Sequence, residues 1–565
     1  MKPVRAILVF AIAAASLEVS GQDGNLRPAC VTGDHLLESG SALSKVAVGC
    51  PARGRCDHPG NRDAAIPDAD TPIKYLSVKF QSLANDDGSD PLFSRADAVA
   101  GLDWLNDCYE PWRVQFVFDH RMIYSSYFHE IYEDWGLVFQ LGNLFSFDIH
   151  RNMNIFTTNF WCEWEGQYTL CGGAPHPWES TSNSPPFSVL MTPNHWPHGG
   201  LICHEVGHNF GLLHTFGDFD VAACGPCDET VGANDRDFTG DFCSDTPPTP
   251  VDPWNTHCGP AAGNDRCSGR PWGETDYRNW MAYTPYAPCK DHFTAQQAGR
   301  IHCWLEATRA LWISYASIEP DLDFGPAPLE VQFEGVTSMR ANGWAWDFGD
   351  GTSGQGQSLS HGYASPGVYT PAVTIDSAEG QFEATMSRDV WAYSGAVTID
   401  NVEAPPGTQV VRVPISTANS VPVDFIDLPL RWDGPAGLVL DSVSTAGLRS
   451  APFPAPRWLD LDIENGRGCL RVLTFNSLAM PPSEGELLEL VFSVDTDLSY
   501  ANNFIRLDDY GECSARFVTD RGSYVPRVTD GSVMICEQQA CRRPVVRRPT
   551  GRRGPPTKTG QVRPF

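Results

Sequence analysis

The sequence predicts an α+β multidomain protein: a mixed sheet with packed helices in the first half, then two all-β sandwiches in series. Three observations predict it. At 565 residues the chain exceeds what one hydrophobic core usually serves. Between residues 73 and 118 a strand pattern, a helix pattern and a second strand pattern follow one another. After residue 314 the texture changes to short alternating runs broken by Gly and Pro, without helical periodicity. Hydrophobic residues make up 42% of the chain, and 17 Trp and 29 Phe supply cores, which excludes global disorder.

Taken in order, residues 1–21 carry Lys2 and Arg5, an apolar run from Ala6 to Ala15, and the small residues Ser20 and Gly21. This is the pattern of a secretory signal peptide, too short to span a bilayer. No other stretch approaches transmembrane length, so a secreted, extracellular protein without a membrane span is expected. Eighteen cysteines agree with an oxidising compartment; fourteen precede residue 304, and disulfides are their default use. Cys224 and Cys227 form a lone CxxC, also read as disulfide-bonded. The formal charge is −29, and the basic tail from 542 to 565 holds eight Arg or Lys and no acid. That leaves 32 basic against 69 acidic residues on the rest, a balance of −37. Such a body disfavours nucleic acid as a partner and is compatible with calcium.

Residues 22–66 show no sustained periodicity and are read as a propeptide. From Ile73, IKYLSVKF sets Leu76, Val78 and Phe80 on one face, the pattern of a half-buried strand. Ser94 with Asp97 caps a helix bearing Ala98, Leu102, Leu105 and Tyr109, and VQFVF at 114–118 alternates again. Strand, helix, strand predicts a crossover in a mixed sheet. SVLMTP at 188–193 is a further short strand, and Thr294 with Gln297 caps a last helix running to about Trp312. The expected divisions are a folded domain over 67–313, a sandwich over 314–396, a second over 397–536, and a disordered basic tail over 537–565.

The chemistry sits in HEVGHNFGLLH at 204–214. His204 and His208 are one helical turn apart, so both imidazoles project from one face and can share a metal. Gly211 can end the helix in a conformation that a Cβ resists, turning the chain to bring His214 back as third ligand. Three nitrogens leave a fourth position open on Zn²⁺, whose bound water acquires a pKa of about 7. Glu205 adjoins the first ligand and is placed to take that water's proton and deliver it to a leaving amine. A Ser or Cys nucleophile is superfluous.

HExxHxxGxxH with a downstream Met-turn is the metzincin signature, and RNWMAYTP at 278–285 supplies Met281. The order HEVGHNFGLLHTF, GDFCSDTPPTP at 240–250 and NWMAYTPYAPCKDHFTAQQ at 279–297, with LND at 105–107, resembles the pappalysin-like metzincins over roughly residues 70 to 312. The resemblance implies a zincin fold: an upper mixed sheet, the active-site helix beneath it, and a cleft between two halves. It also implies a zinc metalloendopeptidase in which Met281 floors the metal and Tyr283 approaches zinc or the tetrahedral intermediate. A buried core tyrosine is the other reading of Tyr283. Family members bind Ca²⁺ near the cleft, and Asp241, Asp245 and Thr246 lie in the corresponding segment; a solvated acidic loop is the other reading. Related metzincins are kept latent by a propeptide thiolate on the zinc. Cys56 in GRCDHPG is the candidate for such a cysteine switch, with Cys30 or an ordinary disulfide as alternatives. Cys203 before the first ligand and the Cys-rich insert from 224 to 267 depart from the family without touching the ligands.

Downstream, WAWDFGDGTSGQGQSLSHGYASPGVYTPAVTI at 344–375 resembles a PKD domain, an immunoglobulin-like sandwich in which Gly349 and Gly351 shape a turn and Trp346 and Tyr369 pack the core. The segment after Val397, closing on DGSVMI, resembles a cohesin-type sandwich. These β-domains are expected to dock extracellular polymers or proteins, with proteins or peptides as substrates of the first domain. Two other readings are open: an adhesion or matrix-binding protein whose protease domain is inert, and a hydrolase of peptidoglycan crosslinks, which the same centre can attack.

Overall fold

The computed structural model describes residues 30–32, 50–86, 88–132, 134–164, 167–170, 172–179, 188–191, 200–217, 224–250, 258–283, 289–378, 380–433, 437–453, 455–473, 479–494, 501–511 and 513–536. The signal-peptide segment and the basic tail lie outside them. Among the described residues no helix is long and apolar enough to cross a membrane.

The first half is built on a seven-stranded mixed sheet. Its strands are β1 (Cys30–Thr32), β2 (Lys74–Ala84), β3 (Val114–Tyr124), β4 (Met153–Thr157), β5 (Gly172–Ala174), β6 (Val189–Met191) and β7 (Ile313–Ser314). Four helices position the site: α1 (Pro59–Ala64), α2 (Arg95–Tyr109), α3 (Gly200–Asn209) and α4 (Ala295–Thr308). β2 and β3 are parallel from Lys74↔Val114 to Ala84↔Tyr124, with α2 between them in the chain, as a crossover requires. β4 lies parallel to the other edge of β2 and to β6. β5 runs antiparallel to β6 at Gly173↔Leu190, and β1 adds to the outer edge of β5 in parallel.

The sheet is covered on both faces, and alternate residues show it. Ile155, Val189 and Met191 join the core formed by Leu76, Val78 and Phe80 with Leu105 of α2 and Ile202 and Val206 of α3. Phe156 and Leu190 join the opposite core, with Leu83, Ile123 and Val138, Leu141 and Phe145 of a helix at Trp135–Phe145. β2 is therefore buried almost throughout rather than half-buried, because the alternation that marks one apolar face says nothing of what covers the other. Ser94 and Asp97 form a full capping box on α2, and Thr294 and Gln297 form one on α4. α4 ends at Thr308, and a 3-10 turn at Ala310–Trp312 completes the span expected to be helical.

Cys56 does not stand as a free thiol: it is bonded to Cys303, so it is not a zinc-blocking thiolate in this structure. The segment around it is folded against the domain, with Cys50 bonded to Cys227 and α1 packed on α4 so closely that a Cβ at Gly299 would meet the carbonyl of Arg62 at 2.4 Å. A sequence shows that a cysteine is present, and only the fold shows which sulfur faces it. Cys224 pairs with Cys267, so both cysteines of the CxxC are in disulfides, though not with each other.

Behind this half, strands between Ser317–Pro320 and Val390–Tyr393 enclose a core of Val331, Phe333, Trp346, Phe348, Tyr363 and Val373, with Tyr369 packed against it. Gly349 and Gly351 take φ +76° and +86° in the turn between two of them. A five-stranded and an eight-stranded sheet then pack around Val413, Ile415, Leu428, Leu430, Phe492 and Ile505. Cys469–Cys513 crosslinks this last unit.

Candidate metal centre and catalytic site

The site grows from the way α3 ends. Leu212 N donates to Gly207 O at 2.9 Å and Gly211 N to His208 O at 2.9 Å, a Schellman motif with Gly211 at φ +88°. A Cβ at Gly211 would lie 2.2 Å from Trp304 Cδ1, so the position excludes side chains twice over, by backbone and by space. Past this turn Leu212 and Leu213 are buried and His214 swings back toward the helix.

His204, His208 and His214 are buried, and their Nε2 atoms converge: His208 Nε2 lies 3.0 Å from that of His204 and 3.2 Å from that of His214. His204 Nδ1 faces Trp280 O at 2.7 Å and His208 Nδ1 faces Leu212 O at 2.9 Å. A carbonyl only accepts, so each of these Nδ1 atoms carries the proton and each Nε2 turns a lone pair inward. Burial, reinforced by Lys290, pushes His204 down to about 3; burial and the neighbouring imidazoles push His208 and His214 well below the usual range. Three neutral imidazoles aiming lone pairs at one point are a donor set for a divalent cation, and zinc fits it.

Glu205 follows His204 on α3 and is fully buried; a Cβ on Gly172 of β5 would stand 3.6 Å from its Oε1. The base candidate thus lies against the sheet strand that borders the centre. Met281 is fully buried, and its Sδ would be 2.6 Å from a Cβ at Gly207. Met281 O accepts from Thr215 N at 3.3 Å, which ties the Met turn to the third imidazole's neighbour. Tyr283 is half-buried beside the centre, its ring 4.6 Å from that of His214 and 5.8 Å from that of His204.

Asp241 and Thr246 are brought together, with Thr246 Oγ1 2.9 Å from each carboxylate oxygen, and Cys243 N donates to the same carboxylate at 3.0 Å. Asp245 is not part of that group. Its carboxylate accepts from Thr294 Oγ1 at 2.8 Å and Gln296 N at 2.9 Å, so it caps α4. Glu229 takes its place beside Asp241, with Oε1 accepting from Arg236 Nε at 2.7 Å and Oε2 buried. Burial, and for Glu229 the charge of Asp241, raises both carboxyls above their ordinary range. Among the described residues the other trio close enough to ligate is Cys224, Asp228 and Cys267, whose two sulfurs are already bonded to each other.

Several contacts that shape the site are set by packing and not by any local pattern. His176 places its ring 5.2 Å from that of His208, stacked on Trp178 at 4.3 Å. Asn279 and Gln297 exchange amide hydrogen bonds of 2.8 and 3.1 Å, and Asn279 Oδ1 accepts from Met281 N at 2.9 Å, so the cap of α4 holds the Met turn. Cys203 is bonded to Cys108, and Tyr109 donates to Cys203 O at 2.8 Å, which anchors α3 to α2 one residue before the first imidazole.

Known proteins resemble this chain over parts of its length. A PKD domain model matches residues 324–391. Pappalysin-1 of Mus musculus is 32% identical over 215 residues, 37% of this chain but 12% of its own length. An extracellular metalloprotease of Colletotrichum graminicola is 34% identical over 112 residues, 20% of this chain and 33% of its own. The chain thus spans about an eighth of one relative and a third of the other. Among solved structures, promirolysin of Tannerella forsythia is 17% identical, covering 45% of this chain and 87% of that one with a TM-score of 0.32. The chain is thus similar to these metalloproteases over part of its first half, and residues 324–391 match a PKD domain model.

Proposed function

We propose that this chain is a secreted zinc-dependent endopeptidase. The observation that carries the reading is the convergence of three buried, neutral imidazoles beside the buried carboxyl of Glu205. His204, His208 and His214 hold the zinc through Nε2, and the carbonyls of Trp280 and Leu212 orient the first two rings. Bound there, zinc supplies an activated water and polarises the scissile carbonyl. Glu205 accepts the proton of the attacking water and returns it to the leaving amine. Tyr283, half-buried beside His214, donates its phenol to the developing oxyanion. Met281 and Gly207 close the floor beneath the rings.

A protein or peptide substrate lies extended along β5, the strand that touches Glu205, and adds to its outer edge. β1 holds that edge in this structure. Latency therefore passes from Cys56 to the segment around Cys30, whose strand a substrate has to displace. Asp241, Thr246 and Glu229 form a calcium site, hard oxygen ligands in a buried acidic corner. The β-domains dock the enzyme on an extracellular partner.

Cleavage of a quenched peptide library by the processed protein, with and without a zinc chelator and beside Glu205→Gln, tests the reading. Activity abolished by both treatments supports it. A zinc-loaded, processed protein that cuts no peptide would overturn it and leave the β-domains as the seat of function.

A further inference from the structure

The mechanism above makes no use of a buried ion pair that begins in the segment read as propeptide and ends at the metal-binding turn. Asp57 Oδ1 accepts from Arg300 Nη1 at 2.8 Å, and both side chains are fully shielded from solvent. Arg300 directs two further donors to one atom: Nη2 and Nε lie 2.8 and 3.2 Å from Gly211 O. Gly211 is the left-handed residue that turns the chain between His208 and His214. Asp57 is itself held by Arg53 N, which donates to Oδ2 at 2.6 Å, and by the Cys56–Cys303 bond beside it. Trp304 closes the same corner, touching the turn at Gly211 on one side and Gly54 on the other, where a Cβ would lie 2.5 Å from its ring. Arg62 of α1, fully buried, reaches Phe242 O and, at 2.8 Å, Asp237 Oδ1.

We infer that the stretch from Cys50 through α1 is a permanent part of the catalytic domain, and that Asp57 is a positioning residue which, through Arg300, fixes the Gly211 carbonyl and with it the approach of His214. The inference rests on the zinc reading of the three histidines. Processing that yields active enzyme falls before Cys50, because cleavage and release beyond Asp57 would strand the Arg300 guanidinium in a sealed corner without its counter-charge. The carbonyl that Arg300 holds is two residues past the helix and three before His214, so its freedom passes directly to the third ligand. Groups that orient a metal ligand from behind change metal affinity or activity by about 10- to 100-fold when removed.

The test uses the full chain, matured by its own processing, with three readouts: the N-terminus and disulfide-linked peptides of the active form, the rate of zinc transfer to a chromogenic chelator, and kcat and KM separately. Asp57→Asn leaves Arg300 unbalanced and loses stability, so the informative variant is Asp57→Asn with Arg300→Met, an uncharged pair of similar volume. The expected result is a thermal midpoint restored to that of the wild type, zinc release about tenfold faster or more, kcat lowered about tenfold or more and KM little changed. Asp57→Glu, which keeps the charge, recovers part of the loss. The active form is expected to begin at or before Cys50, with Cys50–Cys227 and Cys56–Cys303 recovered as linked peptides. A double variant with wild-type zinc release and kcat, or an active form that starts beyond Asp57, would overturn the inference. A wild-type chain that binds zinc yet cleaves nothing sinks the peptidase reading alone, since the zinc-release rate of the double variant still decides this one.

Discussion

Gly207 and Met281 meet where α3 crosses the Met turn: a Cβ at residue 207 would lie 2.6 Å from the methionine sulfur and 3.4 Å from its terminal methyl. Gly207 stands one residue before the second imidazole, so the glycine lets the helix that carries His204 and His208 sit down on the methionine.

Gly207→Ala is therefore expected to displace α3 or Met281, at a cost of about 1–3 kcal/mol for overpacking a filled corner. The thermal midpoint falls and zinc is bound more weakly. Gly207→Ala paired with Met281→Ala relieves the clash and recovers part of the loss. A single variant with unchanged midpoint and zinc affinity would show that the contact is loose.

Glu205→Gln keeps the shape of the buried carboxyl and removes its basicity. The expectation is retained zinc and a kcat lowered by about 10²- to 10⁴-fold, the range for a lost general base. Tyr283→Phe, by contrast, removes one donor to the oxyanion and should lower kcat by about tenfold or more with KM little changed. Steady-state kinetics on one quenched peptide, with zinc content measured on the same samples, separates the two roles.

The pair Glu229 and Asp241 sets a pH dependence of stability. Burial, and in Glu229 the charge of Asp241, raises their folded pKa above the unfolded carboxylate values, so the folded state holds protons that the unfolded state releases. Stability from this pair is then complete at acid pH and declines as pH rises through the folded values. Millimolar calcium offsets the decline, so the thermal midpoint in zinc-containing buffer should rise on adding calcium by more at about pH 8 than at about pH 5. Glu229→Gln should flatten the pH profile and abolish the calcium response. A midpoint indifferent to calcium at both pH values would remove the calcium site.

Cys56 makes the opposite prediction to a thiol switch. In the unreduced protein it resists alkylation, and a peptide containing Cys56 is recovered linked to one containing Cys303. Cys56→Ser does not activate the precursor; it lowers stability by about 2–5 kcal/mol, as expected for losing a bond that closes a long loop. Activation of the precursor by that substitution would restore the switch.

Asn279 and Gln297 are expected to behave as one unit. Gln297→Ala removes one side of a buried amide pair and two of the hydrogen bonds of Asn279, at a cost of about 1–3 kcal/mol. Because Asn279 also holds Met281 N, zinc retention falls along with the thermal midpoint. A midpoint that falls while zinc retention does not would limit the pair to capping α4.

Much of this was legible in the sequence for reasons that are local. The spacing of His204 and His208 and the glycine at 211 act within about three helical turns, where bond geometry dictates the outcome, so the helix, its end and the return of His214 follow directly. The capping boxes at Ser94 and Thr294 are local in the same sense. Tyr283, Asp241 and Thr246 were reached through the family resemblance; in the structure the Tyr283 ring lies 4.6 Å from that of His214, and Thr246 bonds to Asp241. Asp245 sits between two outlets, a cation site and the N-terminus of α4, and no spacing rule chooses between them.

What the sequence by itself determined is the turn that returns His214 toward the helix, the strand and helix periodicities and the all-β texture after residue 314, each a property of neighbours along the chain. The tertiary structure alone decided the partner of Cys56, the place of Asp245 at the N-terminus of α4, the depth of burial of β2, and the link from Asp57 through Arg300 to Gly211. The residues in that link are separated by 243 and 89 positions. Side chains that far apart meet only when the packing of helices and sheet brings them together, and packing is governed by the shape and burial of the whole domain rather than by any local pattern.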